Sequence, residues 1–223
     1  MTLEHRTNVS LITHPLAQDA LTTLRSAETD AVTFRRELER LGRFCGYTLV
    51  PDYVGSETVT VETPLASARG QRLSDDVVLI GILRAAVPFV EGFIDAVPQA
   101  RQGLISASRD EEAGMDSEGR FPITVKYVNL PHIRDSDTVI VADPMLATGS
   151  TMVAALSEIL DDSQPDQTVV CAAVSAPAGI ERVTDRFADV EVVTVGLDER
   201  LDENGFIVPG LGDAGDRAFG TEE

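Results

Sequence analysis

An apolar run, Val139-Ile140-Val141-Ala142, ends in an acid, Asp143, and continues through Pro144-Met145-Leu146-Ala147 into small and hydroxylated residues, Thr148-Gly149-Ser150-Thr151. Read as a buried strand, a short loop and a helix start, this order makes an anion site. The first N–H groups of a helix lack partners and point outward, and the helix dipole adds positive potential there. Thr148, Ser150 and Thr151 bring hydroxyl donors, and Gly149 lets the backbone approach closely. Asp143, at the carboxyl end of the strand, suits ribose hydroxyls or the waters of a hydrated Mg²⁺. Taken alone, the same pattern is equally an ordinary strand–loop–helix turn with Ser or Thr as N-cap.

Two arginines and a glycine-rich tail extend the set. Arg84 lies in Ile82-Leu83-Arg84-Ala85-Ala86-Val87-Pro88, and Arg109 in Ser108-Arg109-Asp110. A planar guanidinium holds phosphate oxygens bidentately, although in an acidic chain any one arginine can equally serve a surface ion pair. The tail runs from Leu197-Asp198-Glu199-Arg200-Leu201 into Gly205-Phe206-Ile207-Val208-Pro209-Gly210-Leu211-Gly212-Asp213-Ala214-Gly215-Asp216-Arg217, then Phe219-Gly220-Thr221. Gly210 to Gly215 spells G-x-G-x-x-G, but a dinucleotide fingerprint needs a following helix and an acid about 20 residues on. Only Asp216 to Glu223 remain, which excludes it. A Walker A phosphate loop is excluded as well, because Lys126 is the only lysine.

These segments together resemble the uracil phosphoribosyltransferases, and the resemblance runs from about His14 to Thr221. Asp143 to Thr151 looks like the family's phosphoribosyl-diphosphate (PRPP) motif, with Pro144 in the place of a second acid, as in the uracil branch, and Ser150 where a second glycine is common. Ile82 to Pro88 resembles the diphosphate loop, with Ala86 for a frequent glycine. Ser108-Arg109-Asp110 resembles the second diphosphate-binding arginine. The tail looks like the uracil-binding signature, with Phe206 where tyrosine is common.

The resemblance implies an α/β type I phosphoribosyltransferase fold: a mostly parallel sheet flanked by helices, with N-terminal helices and a hood over the active site. It implies conversion of uracil and PRPP to UMP and diphosphate in pyrimidine salvage, with Arg84, Arg109, Asp143 and Asp213 as catalytic residues. PRPP would be bound by Arg84, Arg109, Asp213 and each residue of Asp143, Pro144, Met145, Leu146, Ala147, Thr148, Gly149, Ser150 and Thr151. Uracil would be bound by Ile207, Gly212, Asp213 and Ala214. Mg²⁺ would be held mainly through PRPP and water, with Asp143 and Asp213 taking its waters and no direct protein ligand. A homo-oligomer is expected, and some members respond to GTP. No side chain stands out as a general base. A backbone edge of N–H, C=O and N–H complements uracil's carbonyl, N–H and carbonyl, and it rejects cytosine by leaving polar groups unpaired.

The elements that must position these residues follow from periodicity. Phe34, Leu38, Leu41 and Cys45 mark one face of a helix, and Leu21 and Leu24 a shorter one after Pro15. Val59 to Thr63 reads as a strand stopped by Pro64. From Val77 the pattern becomes apolar strands alternating with helices: strands at 77–83, 103–107, 138–142, 168–174 and 190–195, and an extended stretch at 123–130. Helices fall at 88–97 and 151–160, and around Ile180, Val183 and Phe187. An acidic loop fills 110–119. Continuous apolar strands alternating with helices predict a mostly parallel sheet covered on both faces. No repeat or linker interrupts the chain, so residues 1–223 are expected to form one domain.

Composition sets the setting. The chain has 223 residues with 43% hydrophobic and 25% charged, a globular balance. No apolar run approaches a membrane span, and Met1 to Ser10 has no secretory h-region, so a cytoplasmic protein is expected. The net charge of −19 argues against nucleic-acid or anionic-membrane partners. The competing readings are a phosphoribosyltransferase for another base, which the tail disfavours, and an RNA-binding pyrimidine regulator of the same fold, which the charge disfavours. Cys171 reads as a buried strand residue, and a disulfide with Cys45 is disfavoured in the cytoplasm. His5, His14 and His132 lack metal-ligand spacing. An acidic chain with a single lysine resembles proteins of salt-accumulating halophiles. Stability and activity should therefore fall as KCl drops below about the molar range, where the Debye length grows from about 3 Å towards 10 Å. A thermal melting point that stays flat or rises as salt is removed contradicts this.

Overall fold

The computed structural model describes residues 3–7, 9–74, 76–109, 114, 116 and 119–221. Most of the acidic stretch 110–119, including Asp110, and Asn8 of an Asn-Val-Ser sequon lie outside the described residues. In chain order the elements are β1 (Leu3–His5), β2 (Ser10–Ile12), α1 (Pro15–Arg25), α2 (Ala31–Tyr53), β3 (Ser56–Glu62), β4 (Ser67–Leu73), β5 (Val77–Leu83), α3 (Ala86–Ala96), β6 (Arg101–Arg109) and β7 (Ile123–Asn129). They continue with β8 (Thr138–Ala142), β9 (Met145–Leu146), α4 (Ser150–Leu160), β10 (Gln167–Ser175), α5 (Pro177–Arg186), β11 (Val190–Leu197), β12 (Arg200–Leu201), β13 (Ile207–Val208) and α6 (Ala214–Phe219).

The main sheet runs β1-β2-β11-β10-β8-β5-β6-β7, with β9 beside β10. Its inner strands are parallel, while β1 and β7 close its edges antiparallel. β8 lies between β5 and β10 and is buried at every position. That explains its unbroken apolar sequence, since both its faces are covered. Alternate residues feed two cores. Val77, Leu79, Ile140, Val169, Cys171 and Val193 pack against α1, α2 and α3. Val78, Ile80, Val139, Val141, Val170 and Val192 pack against α4 and α5.

Several boundaries differ from the sequence reading. α3 starts at Ala86 rather than Pro88, which places the residues just after Arg84 in its first turn. β6 extends to Arg109, so that arginine stands on a strand end. β3 pairs with β4, a strand the sequence did not announce: it is polar and almost wholly exposed, with no alternation to read. After β11 the tail forms the β12–β13 hairpin and the short α6. Cys45 and Cys171 are both buried free thiols. Burial and the neighbouring Cys45 push the Cys171 thiol well above its ordinary pKa.

Candidate active site

Parallel strands end together, so β5, β6 and β8 deliver the loops after them to one edge of the sheet, the usual place for a ligand crevice in such folds. A cavity of about 260 Å³ lies there. Its wall contains Arg84, Arg109, Asp143, Met145, Leu146, Ala147, Thr148, Gly149, Thr151, Ile207, Gly212, Asp213 and Ala214, all singled out from sequence, together with Phe206. Segments far apart in the chain therefore converge on a single space.

The loop after β8 is built to stay open at its centre. The Asp143 carboxylate accepts the Met145 N–H at 3.1 Å. The Pro144 carbonyl is taken by the N–H groups of Ala173 and Val174, at 3.1 and 3.0 Å. Gly149 caps α4 with φ +79°, and a Cβ there would sit 2.8 Å from the Gly179 carbonyl, so only glycine fits. Among the described residues, the N–H groups of Thr151 and Met152 in the first turn of α4 find no acceptor in the chain. They are the donors an anion would use.

Two expected ligands do not line the cavity. Pro144 is turned into the β9–β10 ladder, and the Ser150 side chain belongs to the loop's scaffold. The Ser150 hydroxyl accepts from Phe121 N–H and from Arg182 Nη1, each at 3.2 Å, and meets the Thr148 hydroxyl at 3.3 Å. Arg182 also donates to the carbonyls of Thr148 and Gly119, at 2.6 and 3.0 Å. This residue was missed from sequence, where α5 offered only its apolar face as a signal.

The charged groups form a graded field. Loss of water on burial pushes the Asp143 carboxyl up to about 7; the Met145 N–H and the Arg109 charge oppose this, and the Asp213 charge adds to it. Arg109 lies with its guanidinium 5.0 Å from the Phe121 ring centre. Arg84 follows a cis Leu83–Arg84 peptide bond and reaches the tail, donating to Asp216 at 2.8 Å and lying 5.9 Å from the Phe219 ring centre. Hydrogen bonds from Thr221 and Arg84 hold the Asp216 carboxyl below its usual range. Asp213 caps α6, its side chain accepting the Asp216 N–H at 2.9 Å. Among the described residues, no three His, Cys, Asp or Glu side chains cluster to hold a metal.

The cavity wall thus brings together unpaired helix N–H groups, two arginines, two carboxylates and a glycine-rich backbone segment. A family model described as uracil phosphoribosyltransferase matches residues 11–221. A uracil phosphoribosyltransferase of Natronomonas pharaonis is 57% identical, over 99% of this chain and 100% of its own. A protein structure from Aquifex aeolicus superimposes with a TM-score of 0.86 at 35% identity, covering 95% of this chain and 97% of that one. An adenine phosphoribosyl transferase from Trypanosoma brucei is similar in fold, with a TM-score of 0.54 at 14% identity, covering 92% of this chain and 90% of that one.

Proposed function

The chain belongs to the uracil phosphoribosyltransferase family, and from that premise we propose how its cavity converts uracil and PRPP to UMP and diphosphate in pyrimidine salvage. The observation that carries the assignment of roles is the meeting of the anion cradle, two arginines and the tail on one cavity.

The cradle from Ala147 to Thr151 takes the 5′-phosphate, with N–H donors of the first α4 turn and the hydroxyls of Thr148 and Thr151. Pro144 and Ser150 serve it by shaping the loop. Arg84 and Arg109 take the diphosphate, Arg84 exchanging Asp216 for phosphate oxygens. Asp143 holds the ribose hydroxyls. Displacement at C1 with an oxocarbenium-like transition state leaves the protein two tasks: aligning the base with C1, and stabilising the charge on the departing diphosphate. The donor set suits a cation bound through water, since Asp143 and Asp213 offer hard carboxylate oxygens on the cavity wall and no closed ligand cage. Mg²⁺, when bound with PRPP, would neutralise diphosphate charge.

Ile207, Gly212, Asp213 and Ala214 face the base. Phe206, beside them and 43% exposed, offers a ring face at the cavity mouth. Phe206→Ala should raise the uracil KM by about 10- to 100-fold, the equivalent of the 1–3 kcal/mol of an aromatic–base stack, without admitting cytosine. Steady-state kinetics with both bases check this.

The coarser setting has its own supports. One main sheet spanning Leu3 to Leu197 supports a single domain. The β3–β4 hairpin, with Leu65 96% exposed and Val61 41% exposed, supports a homo-oligomer. The free thiols support a cytoplasmic location, and no described helix is long and apolar enough to cross a membrane. A GTP effector rests on the family resemblance and on no residue of this chain. The decisive assay measures nucleotide formation from uracil, cytosine, orotate and hypoxanthine with PRPP and Mg²⁺ in molar KCl. UMP formation from uracil alone is the expected result, and equal use of another base overturns the assignment.

A further inference from the structure

Behind the base-facing loop, one ion pair grips both polar groups of Gly210. Asp198, just past β11 and 7% exposed in its side chain, accepts the Gly210 N–H at 2.8 Å. Arg25, the last residue of α1, donates to the Gly210 carbonyl at 2.9 Å. The two side chains are joined bidentately, at 2.7 and 2.6 Å. One residue on, the Leu211 carbonyl accepts from Arg217 at 2.6 Å. The Arg217 guanidinium also reaches the carbonyls of Leu24 and Ser26, each at 2.6 Å, and lies 4.4 Å from the Phe34 ring centre.

None of Arg25, Asp198 and Arg217 lines the cavity, whereas Gly212 does. The polar groups of Gly210 and the Leu211 carbonyl are thus engaged on the far side of the loop. Among the described residues, no hydrogen bond takes the N–H or C=O of Gly212.

We propose that Arg25 and Asp198 are positioning residues for base selection: by fixing Gly210 they set the loop's register, so that the free backbone edge at Gly212 faces the base. The proposal rests on the reading of Gly212 to Ala214 as the base-facing loop. A backbone edge discriminates uracil from cytosine only if it cannot adapt, because an adaptable loop re-pairs its groups with either base. The bidentate pair removes that freedom. Arginine alone supplies the geometry: a lysine at this place keeps the charge but not the fork that reaches both Asp198 oxygens and the Gly210 carbonyl.

Arg25→Lys and Asp198→Asn, made singly and together in the full chain and assayed in molar KCl, test this. Each single variant should lose about 10- to 100-fold in kcat/KM for uracil, mainly through KM. The uracil-to-cytosine ratio should shrink, and calorimetric PRPP affinity should stay within about twofold of the unaltered protein. The double variant should lose little more than either single one, because both break the same pair. A merely structural role would instead lower the melting temperature and the fraction of active sites while leaving KM for uracil and the base ratio unchanged, and that result overturns the proposal.

Gly212→Val separates the two levels. If it loses uracil while both clamp variants keep the original KM, the positioning role falls and the base-loop reading stands. If it uses uracil normally, the base-loop reading falls, and the positioning role with it. Should the clamp variants not fold, amide exchange at Gly210 in the unaltered, unliganded protein decides. Slow exchange supports the clamp, and exchange at the rate of a free loop overturns it.

Discussion

Gly212→Val is expected to abolish uracil turnover while leaving PRPP binding intact. Gly212 has φ +77°, which β-branched side chains avoid at a cost of the order of 1–3 kcal/mol. A Cβ at this position would stand 3.2 Å from Arg217 Cδ, so the side chain also presses on the guanidinium that holds the Leu211 carbonyl. The loop must move to relieve either strain, and its backbone edge moves with it. The anion cradle lies on another element, after β8, and among the described residues no hydrogen bond joins it to Leu211, Gly212 or Arg217. Titration with PRPP and then uracil should show binding of the first and loss of the second, with activity reduced at least about 10³-fold, comparable to leaving a hydrogen-bonding base edge unpaired. Normal turnover of uracil by this variant would remove the tail from base recognition.

Asp143→Asn should cost at least about 10²-fold in kcat/KM, the scale of removing one electrostatic stabiliser, with the fold retained. The amide keeps the shape and can still accept the Met145 N–H, so only the charge at the strand end is lost. The pH dependence identifies that charge. In the unliganded protein the carboxyl titrates near 7. If this anion holds the ribose hydroxyls as proposed, it is depleted as pH falls below 7, and kcat/KM for PRPP should decline about tenfold per pH unit there. Asp143→Asn should flatten this limb. For stability the direction reverses. The unfolded chain releases the proton near 3.8 and the folded one near 7, so this group's contribution is fully present below 3.8 and is lost as pH rises through 7. A turnover in Asp143→Asn equal to that of the unaltered protein would reduce Asp143 to a strand-end acid.

The strand–loop–helix unit was legible because its parts are consecutive: strand end, loop and helix start appear in order between Val139 and Thr151. The long helices were legible because Phe34, Leu38, Leu41 and Cys45 repeat at the helical period. β4 carried no such signal, since neither of its faces is buried and nothing selects an alternation. Ser150 shows a different limit. A hydroxyl at a helix start suits a bound phosphate or a neighbouring segment equally well, and here it serves Phe121 and Arg182. The partnership of Arg25 with Asp198 lies beyond any local reading, because an isolated arginine announces no partner 173 residues away. The neighbouring thiols of Cys45 and Cys171 were hidden for the same reason: helix α2 and strand β10 meet only in the folded core.

That separation along the chain orders the steps by which the molecule assembles. The cradle's braces from Phe121 and Arg182 span 29 to 34 residues, whereas Arg25 meets Gly210 across 185 residues and Arg217 meets Leu24 across 193. The entropy of closing a loop must be met before its contacts return anything, so distant pairings form late. A refolding molecule should therefore complete its phosphate cradle before it can tell one pyrimidine from another.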